Sequence, residues 1–311
     1  MNPRIIKSIK WITGTFIVLY LLLTIGGPVL FLNVICDKHV NHQRVFTAEE
    51  FGIPVPDTLY LNTLDGFSIH TLEVSPEDSA RGVIIFVSGI ENPSVTAFYG
   101  HVKPFREMGL VSLLPDVRGH GKSDGDRICL AFEEDEDIIA VARYASMKYP
   151  GLPVIVMGLS MGGGIAIRSA ASSDNIDAVV TLSAFSSVQD VVGGMLGNFI
   201  TPVLAAPAKL STALCASLKY RVNAFTDTPL DAASRLGGKP VLMMHSRGDT
   251  QVPYKCFEKL SDRIRHDGKS RIETYVVDGD RHFIIDRFLY PCEDSEYFSR
   301  LKAFIESVLQ P

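Results

Sequence analysis

The chain has 311 residues, of which 46% are hydrophobic and 21% are charged, and its formal net charge is −5. This length and balance are typical of a globular protein with an additional apolar segment. A negative net charge without a basic tract argues against nucleic acid as a partner. The five cysteines are widely spaced and form no C-x-x-C pair or Cys/His cluster, so they indicate neither a metal site nor a dense disulfide framework, and leave a single disulfide open.

The apolar segment lies near the N-terminus, at residues 11–35, and contains no charged side chain. At about 1.5 Å per residue it is long enough to cross the roughly 30 Å hydrocarbon core of a bilayer. Arg4, Lys7 and Lys10 precede it, and this excess of positive charge predicts a cytoplasmic N-terminus with the rest of the chain on the other side. We interpret residues 1–36 as a single-pass membrane anchor.

Three other kinds of segment can have a similar apolar stretch. A cleaved signal peptide has a shorter apolar region and a small-residue cleavage site, which this sequence lacks. A lipoprotein signal ending at Cys36 would need a small residue where Ile35 stands. A buried helix of a globular domain is rarely free of charge over such a length. The length therefore favours an uncleaved transmembrane helix.

Strands and helices alternate after a polar segment, residues 37–57, that we interpret as a linker in which His39 and His42 are solvated. Residues 58–64 and 67–74 flank Asp65-Gly66 and are predicted to form a hairpin. Further strands are predicted at 83–87, 110–114, 154–157, 178–182, 241–245 and 272–277, and helices at 95–108, 133–149, 165–171, 254–265 and 297–309. Apolar strands that alternate with helices predict an α/β domain, residues 58–311, in which helices cover both faces of a mostly parallel sheet.

The strand at 154–157 leads into G-x-S-x-G, with Ser160 between Gly158 and Gly162. A strand, this motif and then a helix is the order of a nucleophile elbow, in which the serine stands on a sharp turn. Larger side chains at the two glycines would crowd that turn. The alternative is a plain Gly/Ser turn, but the flanking strand and helix favour Ser160 as a nucleophile at a helix N-terminus.

A serine nucleophile needs a base, usually histidine, and three histidines follow Ser160. His282 lies in the loop directly after the last predicted strand, at the sheet edge where the elbow also lies. His245 ends a strand, where a core histidine is the simpler interpretation, and His266 follows a charged helix end, where it would be solvated. We predict His282 as the base.

The base must be oriented by a carboxylate, and the order Ser, Asp, His along the chain is typical of this arrangement. Asp249 follows the predicted strand 241–245, which neighbours the last strand. It is therefore the preferred acid. The alternatives that are closer to His282 in the sequence are Asp278, Asp280 and Asp286.

Four motifs together resemble the α/β-hydrolase family, in the branch that holds serine esterases, monoacylglycerol-lipase-like hydrolases and serine-aminopeptidase-like hydrolases. They are D-x-R-G-x-G-x-S at residues 116–123, G-L-S-M-G at Ser160, G-D-x-x-V-P at Asp249 and G-D-x-H-F at His282. The resemblance extends over residues 88–283. It implies the α/β-hydrolase fold, a Ser-Asp-His triad, and neither a metal nor an organic cofactor.

The resemblance also implies an oxyanion hole made of two backbone N–H groups. One follows the nucleophile and would here be that of Met161. The other follows a His-Gly pair in the family; here that pair is Ser88-Gly89, so the second donor would be Ile90. Glu91 stands beside this loop, and we expect its carboxylate to face solvent or to bind a cationic group.

Residues 186–237 form an insertion that is too long for a plain loop. Apolar residues that include Met195 and Phe199 recur in it at helical spacing. Glycines at 193, 194 and 197 and prolines at 202 and 207 predict short helices with mobile joints. Because it follows a strand next to the elbow strand, we interpret it as a helical lid; extra core helices are the alternative.

These features predict a membrane-anchored serine hydrolase that cleaves carboxylic esters, with monoacylglycerols or lysolipids as candidate substrates. A peptidase or amidase that uses the same triad is an alternative. A non-catalytic binding module of the same fold is another, although such a module would not need Ser160, Asp249 and His282 together.

Overall fold

The computed structural model describes residues 3–91, 94–197 and 200–310, without the side chain of Pro202. In this part of the chain the strands are β1 (Asp57–Asn62), β2 (Ser68–Val74), β3 (Gly82–Val87), β4 (Leu110–Pro115), β5 (Val154–Leu159), β6 (Ala178–Leu182), β7 (Val241–Ser246) and β8 (Ile272–Val277). They form one sheet in the order β1-β2-β4-β3-β5-β6-β7-β8.

One strand of the sheet, β2, runs opposite to the others. Strands β1 and β2 form the antiparallel hairpin predicted from the sequence, and β2 is antiparallel to β4. The pairs from β4–β3 to β7–β8 are parallel. Strands β3 to β7 are buried along their whole length, because helices cover both faces. The predicted α/β-hydrolase fold is confirmed.

The helices are α1 (Pro3–Ile35), α2 (Ala48–Phe51), α3 (Tyr99–Glu107), α4 (Asp135–Lys148), α5 (Met161–Ser172), α6 (Val188–Gly197), α7 (Pro202–Tyr220), α8 (Pro229–Ala232), α9 (Tyr254–Asp267) and α10 (Ser295–Leu309). Two π-helical turns interrupt α1, at Leu22–Gly26 and Phe31–Ile35, and 3₁₀ turns lie at Val95–Phe98, Ala233–Arg235 and Pro291–Glu293. One face of the sheet packs on Ile138, Ile165 and Leu260, and the other on Phe105 and Phe304.

Helix α1 is long and apolar enough to span a membrane. Only 17% of its most apolar 18-residue stretch is buried, whereas a core helix of a soluble protein is mostly buried. Trp11 and Phe16 are 71% and 69% exposed. Towards its C-terminal end the helix packs on the protein, where Thr24 and Leu32 are fully buried. Helix α1 therefore has an exposed N-terminal part and a C-terminal part that packs against the rest of the protein.

The insertion at 186–237 contains α6 and α7, which pack against each other. The predicted interruptions at Gly197 and Pro202 are confirmed, since α6 ends at the one and α7 begins at the other. Those at Gly193, Gly194 and Pro207 are wrong, because these residues lie inside α6 and α7. Packing of α7 against α6 and α1 offsets the backbone hydrogen bond that Pro207 removes. Phe199 lies outside the described residues.

The segment predicted as a linker, residues 37–57, packs closely against the domain. Phe46, Phe51 and Ile53 are buried in the same core cluster as Phe105. The Val40 N–H donates to the Gly119 carbonyl at 2.7 Å. Apolar residues spaced among the polar ones were the signal for this packing, and the prolines at 54 and 56 obscured it.

Candidate active site

Ser160 stands at the sharp turn between β5 and α5. Its backbone has φ +56° and ψ −116°, a conformation that costs on the order of 1–3 kcal/mol for a residue with a side chain. A Cβ atom on Gly158 would lie 2.0 Å from the Gly162 carbonyl oxygen, and one on Gly162 would lie 2.2 Å from that of Val87. The glycines therefore let the turn close tightly and present the Ser160 side chain beyond the sheet edge.

Asp249 and His282 lie side by side at the same edge, after β7 and β8, and both are buried. His282 Nδ1 is 2.7 Å from Asp249 Oδ2, and Asp249 Oδ1 accepts from the N–H groups of Gln251 and Val252 at 2.8 and 2.9 Å. Burial alone would raise the pKa of Asp249, but these hydrogen bonds hold it below its ordinary value. The carboxylate is thus charged and fully engaged.

The three alternative carboxylates for the acid are exposed or pair with other residues. Asp278 and Asp280 are exposed, and Asp278 pairs with Arg247 at 3.2 Å. Asp286 is exposed and pairs with Arg281. Of these candidates, the structure brings only Asp249 to hydrogen-bonding distance of His282 within the described residues.

The two other histidines have the surroundings expected from the sequence. His245 is buried, and its Nε2 contacts the Val252 carbonyl at 3.0 Å. Burial lowers its pKa, so the ring is neutral near pH 7. His266 is exposed at the end of α9.

Two serines that the sequence analysis did not identify hold the His282 loop. Ser183 Oγ donates to the His282 carbonyl at 2.7 Å, and Ser246 Oγ donates to the Arg281 carbonyl at 2.6 Å. Both follow or end a strand next to the site, and small polar residues at the carboxyl ends of strands were the available signal. Between Ser160 and His282 themselves the described side chains form no hydrogen bond.

The loop after β3 places Ile90 near Ser160, and Ile90, Ser160 and Met161 line one cavity. Two histidine rings contact carbonyl oxygens of this loop: His120 Nε2 at Ile90, 2.6 Å away, and His42 Nδ1 at Glu91, 2.9 Å away. The prediction that His42 is solvated is wrong, since its side chain is 3% exposed. The rings of His42 and His120, from other segments of the chain, therefore support this loop. The family pattern instead has a histidine within the loop, at the position of Ser88.

Glu91 points its carboxylate to a cation, as expected from the sequence. Glu91 Oε1 lies 2.6 Å from Lys38 Nζ, in a pair whose side chains are 36% and 44% exposed. This contact directs the negative charge to the protein surface. This position of the Glu91 carboxylate is compatible with an oxyanion near Ile90.

The D-x-R-G-x-G-x-S loop builds the support for His120. Asp116 contacts His70 Nδ1 at 3.0 Å and accepts from the Lys122 N–H at 3.1 Å. A Cβ atom on Gly121 would lie 2.2 Å from Asp116 Oδ2, so glycine is required there. Arg118 is buried and bonds to Asp137 at 2.8 Å. The motif is structural and fixes the position of His120.

Ser160 opens onto an apolar cavity of about 490 Å³. The insertion contributes Val188, Val191, Val192, Met195 and Leu196, and α1 contributes Leu23, Gly27, Pro28 and Phe31. Apart from the Ser160 hydroxyl, the only polar side chain among the described residues that line it is Gln251. The cavity suits an alkyl or acyl chain that ends at Ser160.

A half-buried carboxylate, Asp190, links the insertion to the domain. Asp190 of α6 lies 2.6 Å from Lys209 of α7 and 2.6 Å from Lys259 of α9, and Ser186 Oγ donates to it at 2.9 Å. Burial alone would raise the pKa of Asp190, but the two lysines lower it to about 2.

Among the described residues no three His, Cys, Asp or Glu side chains converge as metal ligands, and each cysteine is unpaired.

The sheet order and the glycine-flanked serine after β5 define an α/β hydrolase. The family described as serine aminopeptidase, S33, matches residues 78–235, and the chain belongs to that family.

Curated relatives and solved structures agree with this assignment. A monoacylglycerol lipase from Mycolicibacterium smegmatis is 34% identical over 139 residues, 44% of this chain and 46% of the relative. A monoglyceride lipase from Rattus norvegicus is 22% identical over 189 residues, 58% of this chain and 62% of the relative. The chain thus matches about half to under two thirds of their length. An esterase from Pyrococcus furiosus shares the fold, with a TM-score of 0.67, 21% identity, and coverage of 87% of this chain and 98% of the esterase.

Proposed function

We propose that the protein is a membrane-anchored serine hydrolase that cleaves carboxylic esters of medium or long acyl chains, such as monoacylglycerols. The observation that carries the proposal is the apolar cavity of about 490 Å³ with Ser160 in its wall. Each methylene buried there would contribute up to about 0.8 kcal/mol. The named relatives that are lipases of monoacylglycerols support the substrate class.

In this proposal Ser160 attacks the ester carbonyl carbon while His282 accepts the hydroxyl proton. Asp249, through its contact of 2.7 Å, holds the ring of His282 with Nε2 free to act. The N–H groups of Ile90 and Met161 stabilise the oxyanion. His282 returns the proton to the departing alcohol, and water then hydrolyses the acyl-enzyme by the same steps in reverse order.

The family description makes a peptidase the second candidate. An aminopeptidase must bind the ammonium group of its substrate, and a buried cation needs an anionic partner. The described residues that line the cavity include no carboxylate, and Glu91 is already paired with Lys38. The lining therefore favours an acyl ester over a free amino terminus.

For the domain organisation we propose an anchor at residues 1–36, a connecting segment at 37–57 and a catalytic domain at 58–311 that carries the lid at 186–237. Arg4, Lys7 and Lys10 before the apolar stretch favour a cytoplasmic N-terminus and an extracytoplasmic catalytic domain. Protease added to intact cells or spheroplasts should then digest the domain. Digestion only after lysis would reverse the orientation, and recovery of a soluble form that starts after residue 35 would remove the anchor.

The activity is tested on full-length protein with p-nitrophenyl esters from acetate to dodecanoate and with aminoacyl p-nitroanilides. We expect kcat/KM to rise with acyl length and Ser160 to be labelled by a fluorophosphonate. Met195→Ser should flatten the rise, because Met195 lines the cavity. Faster cleavage of the anilides would favour the peptidase, and the absence of both labelling and turnover would favour a binding module.

A further inference from the structure

Helix α1 forms part of the wall of the cavity that holds Ser160. Leu23, Gly27, Pro28 and Phe31 all line it. A Cβ atom on Gly27 would meet no atom within 4 Å, and the backbone there is helical, with φ −59°. The missing side chain of Gly27 therefore leaves open space within the lining. The helix that resembles an anchor also shapes the site.

The part of α1 that lines the cavity lies within its apolar stretch. From Leu23 to Phe31 the helix advances about 12 Å, close to the roughly 15 Å of one leaflet's hydrocarbon. Trp11 and Phe16, in the other half, are 71% and 69% exposed. If α1 spans a bilayer, the cavity wall lies at the depth of the leaflet nearer the catalytic domain.

Helix α7 presents a matching apolar surface. Its two lysines, Lys209 and Lys219, are paired with Asp190 and Asp37 at 2.6 and 2.9 Å. Its exposed stripe consists instead of large apolar side chains, namely Val203, Leu210, Leu214 and Leu218. An outward face of this composition is suited to hydrocarbon, and in water it would be an unusually large apolar patch.

Hydrogen bonds fix α7 alongside α1. Ser211 Oγ donates to the Thr24 carbonyl at 2.6 Å, and Tyr20 Oη donates to the Leu204 carbonyl at 2.9 Å. Polar groups within hydrocarbon must find partners inside the protein, and these hydroxyls do so. The exposed stripe of α7 therefore lies in the same layer as the cavity wall of α1.

We propose that α1 is a substrate-binding element as well as an anchor, and that the acyl chain of a membrane lipid ester enters the cavity from the leaflet around α1 and α7. The proposal rests on the proposed ester hydrolase function. A chain that moves from hydrocarbon into an apolar cavity avoids contact with water, which would cost about 0.8 kcal/mol per methylene. The headgroup end would then meet Ser160 at the sheet edge.

The test places a side chain in the open space at Gly27. Full-length wild type and Gly27→Leu are compared in phosphatidylcholine vesicles on p-nitrophenyl acetate and dodecanoate. We expect the ratio of kcat/KM for dodecanoate to that for acetate to fall at least tenfold in Gly27→Leu. The matched control is Gly14→Leu, in the same helix, where a Cβ atom also meets nothing within 4 Å but the residue lies away from Ser160. It should leave both rates unchanged.

A second variant fills the site after folding. Gly27→Cys is purified, treated with N-ethylmaleimide and compared with wild type treated in the same way. The ratio should fall on alkylation of the variant alone. An unchanged ratio in Gly27→Leu and in alkylated Gly27→Cys would overturn the role of α1. Failure of the wild type to hydrolyse either ester would instead contradict the proposed function.

Discussion

His120 Nε2 lies 2.6 Å from the carbonyl oxygen of Ile90, the residue whose N–H is the proposed oxyanion donor. His120 is buried, and burial lowers its pKa, so the ring is neutral near pH 7 and carries one N–H to donate. Its Nδ1 faces the Arg118 carbonyl at 3.0 Å. The shorter contact favours the tautomer that donates to Ile90. The His120 ring, held within the D-x-R-G-x-G-x-S loop, thus restrains the backbone beside Ser160.

Loss of this contact should slow the chemical step more than it weakens binding. For His120→Ala we expect kcat to fall about 10–100-fold with little change in KM, because a misplaced donor matters most when the oxyanion forms. His120→Gln, which can donate to the same carbonyl, should recover part of the loss. The control is His266→Ala, at an exposed position on α9. Equal changes in kcat and KM, without recovery, would mean that His120 only stabilises the fold.

Substitution within the proposed triad should abolish turnover. Ser160→Ala and His282→Ala should each lower kcat by about 10⁴ or more, since triad members act as a unit. Asp249→Asn should also be severe, because an amide nitrogen would face the N–H groups of Gln251 and Val252 or the His282 ring. Hydrolysis of p-nitrophenyl butyrate measures these effects. Full activity in Asp249→Asn and loss in Asp280→Asn would identify a different acid.

The Asp190 contacts should make the stability of the insertion depend on pH. The pKa of Asp190 in the folded protein, about 2, lies below its ordinary value of 3.8. Its contribution is therefore complete above about pH 4 and is lost as the pH falls towards 2. Asp190→Asn should lower the free energy of unfolding by about 1–2 kcal/mol at pH 7, since it removes charged hydrogen bonds.

Thermal unfolding in detergent at pH 7 and pH 3 measures this effect. The Tm of wild type should exceed that of Asp190→Asn at pH 7, and the difference should shrink at pH 3. Asp262→Asn, an exposed position on α9 whose contact with Arg265 is 3.8 Å, is the control and should match wild type at both pH values. A Tm difference that is the same at both pH values would show that the Asp190 charge does not stabilise the insertion.

Local sequence patterns were sufficient to predict the sheet. Strands such as β3 and β5 are uninterrupted apolar runs, and the helices between them end near the predicted residues. The path of α7 through Pro207 was not predictable, because the packing that stabilises it joins α7 to α1 and α6 from distant parts of the sequence. Helix propensity describes only the local cost of the proline.

The candidate site also has a part that the sequence predicts and a part that it does not. The motifs that contain Ser160, Asp249 and His282 are local, and chain order along a parallel sheet predicts that they share an edge. Contacts made by residues in unrelated segments were missed, namely His42 and His120 at the oxyanion loop and α1 in the cavity wall. A hydrophobic segment long enough to span a membrane carries no local sign that one of its faces binds substrate.

The exposed stripe of α7 should lie in hydrocarbon when the protein is in a membrane. The chain has one tryptophan, Trp11, so Trp11→Phe provides a background in which a single new tryptophan reports its depth. Leu214→Trp places it on the stripe, where the native side chain is 48% exposed. In vesicles whose acyl chains carry bromine, we expect strong quenching of Leu214→Trp fluorescence. Met147→Trp, on α4 at a site that is 78% exposed, should be quenched little. Equally weak quenching of the two variants would place α7 in water and leave α1 alone in contact with lipid.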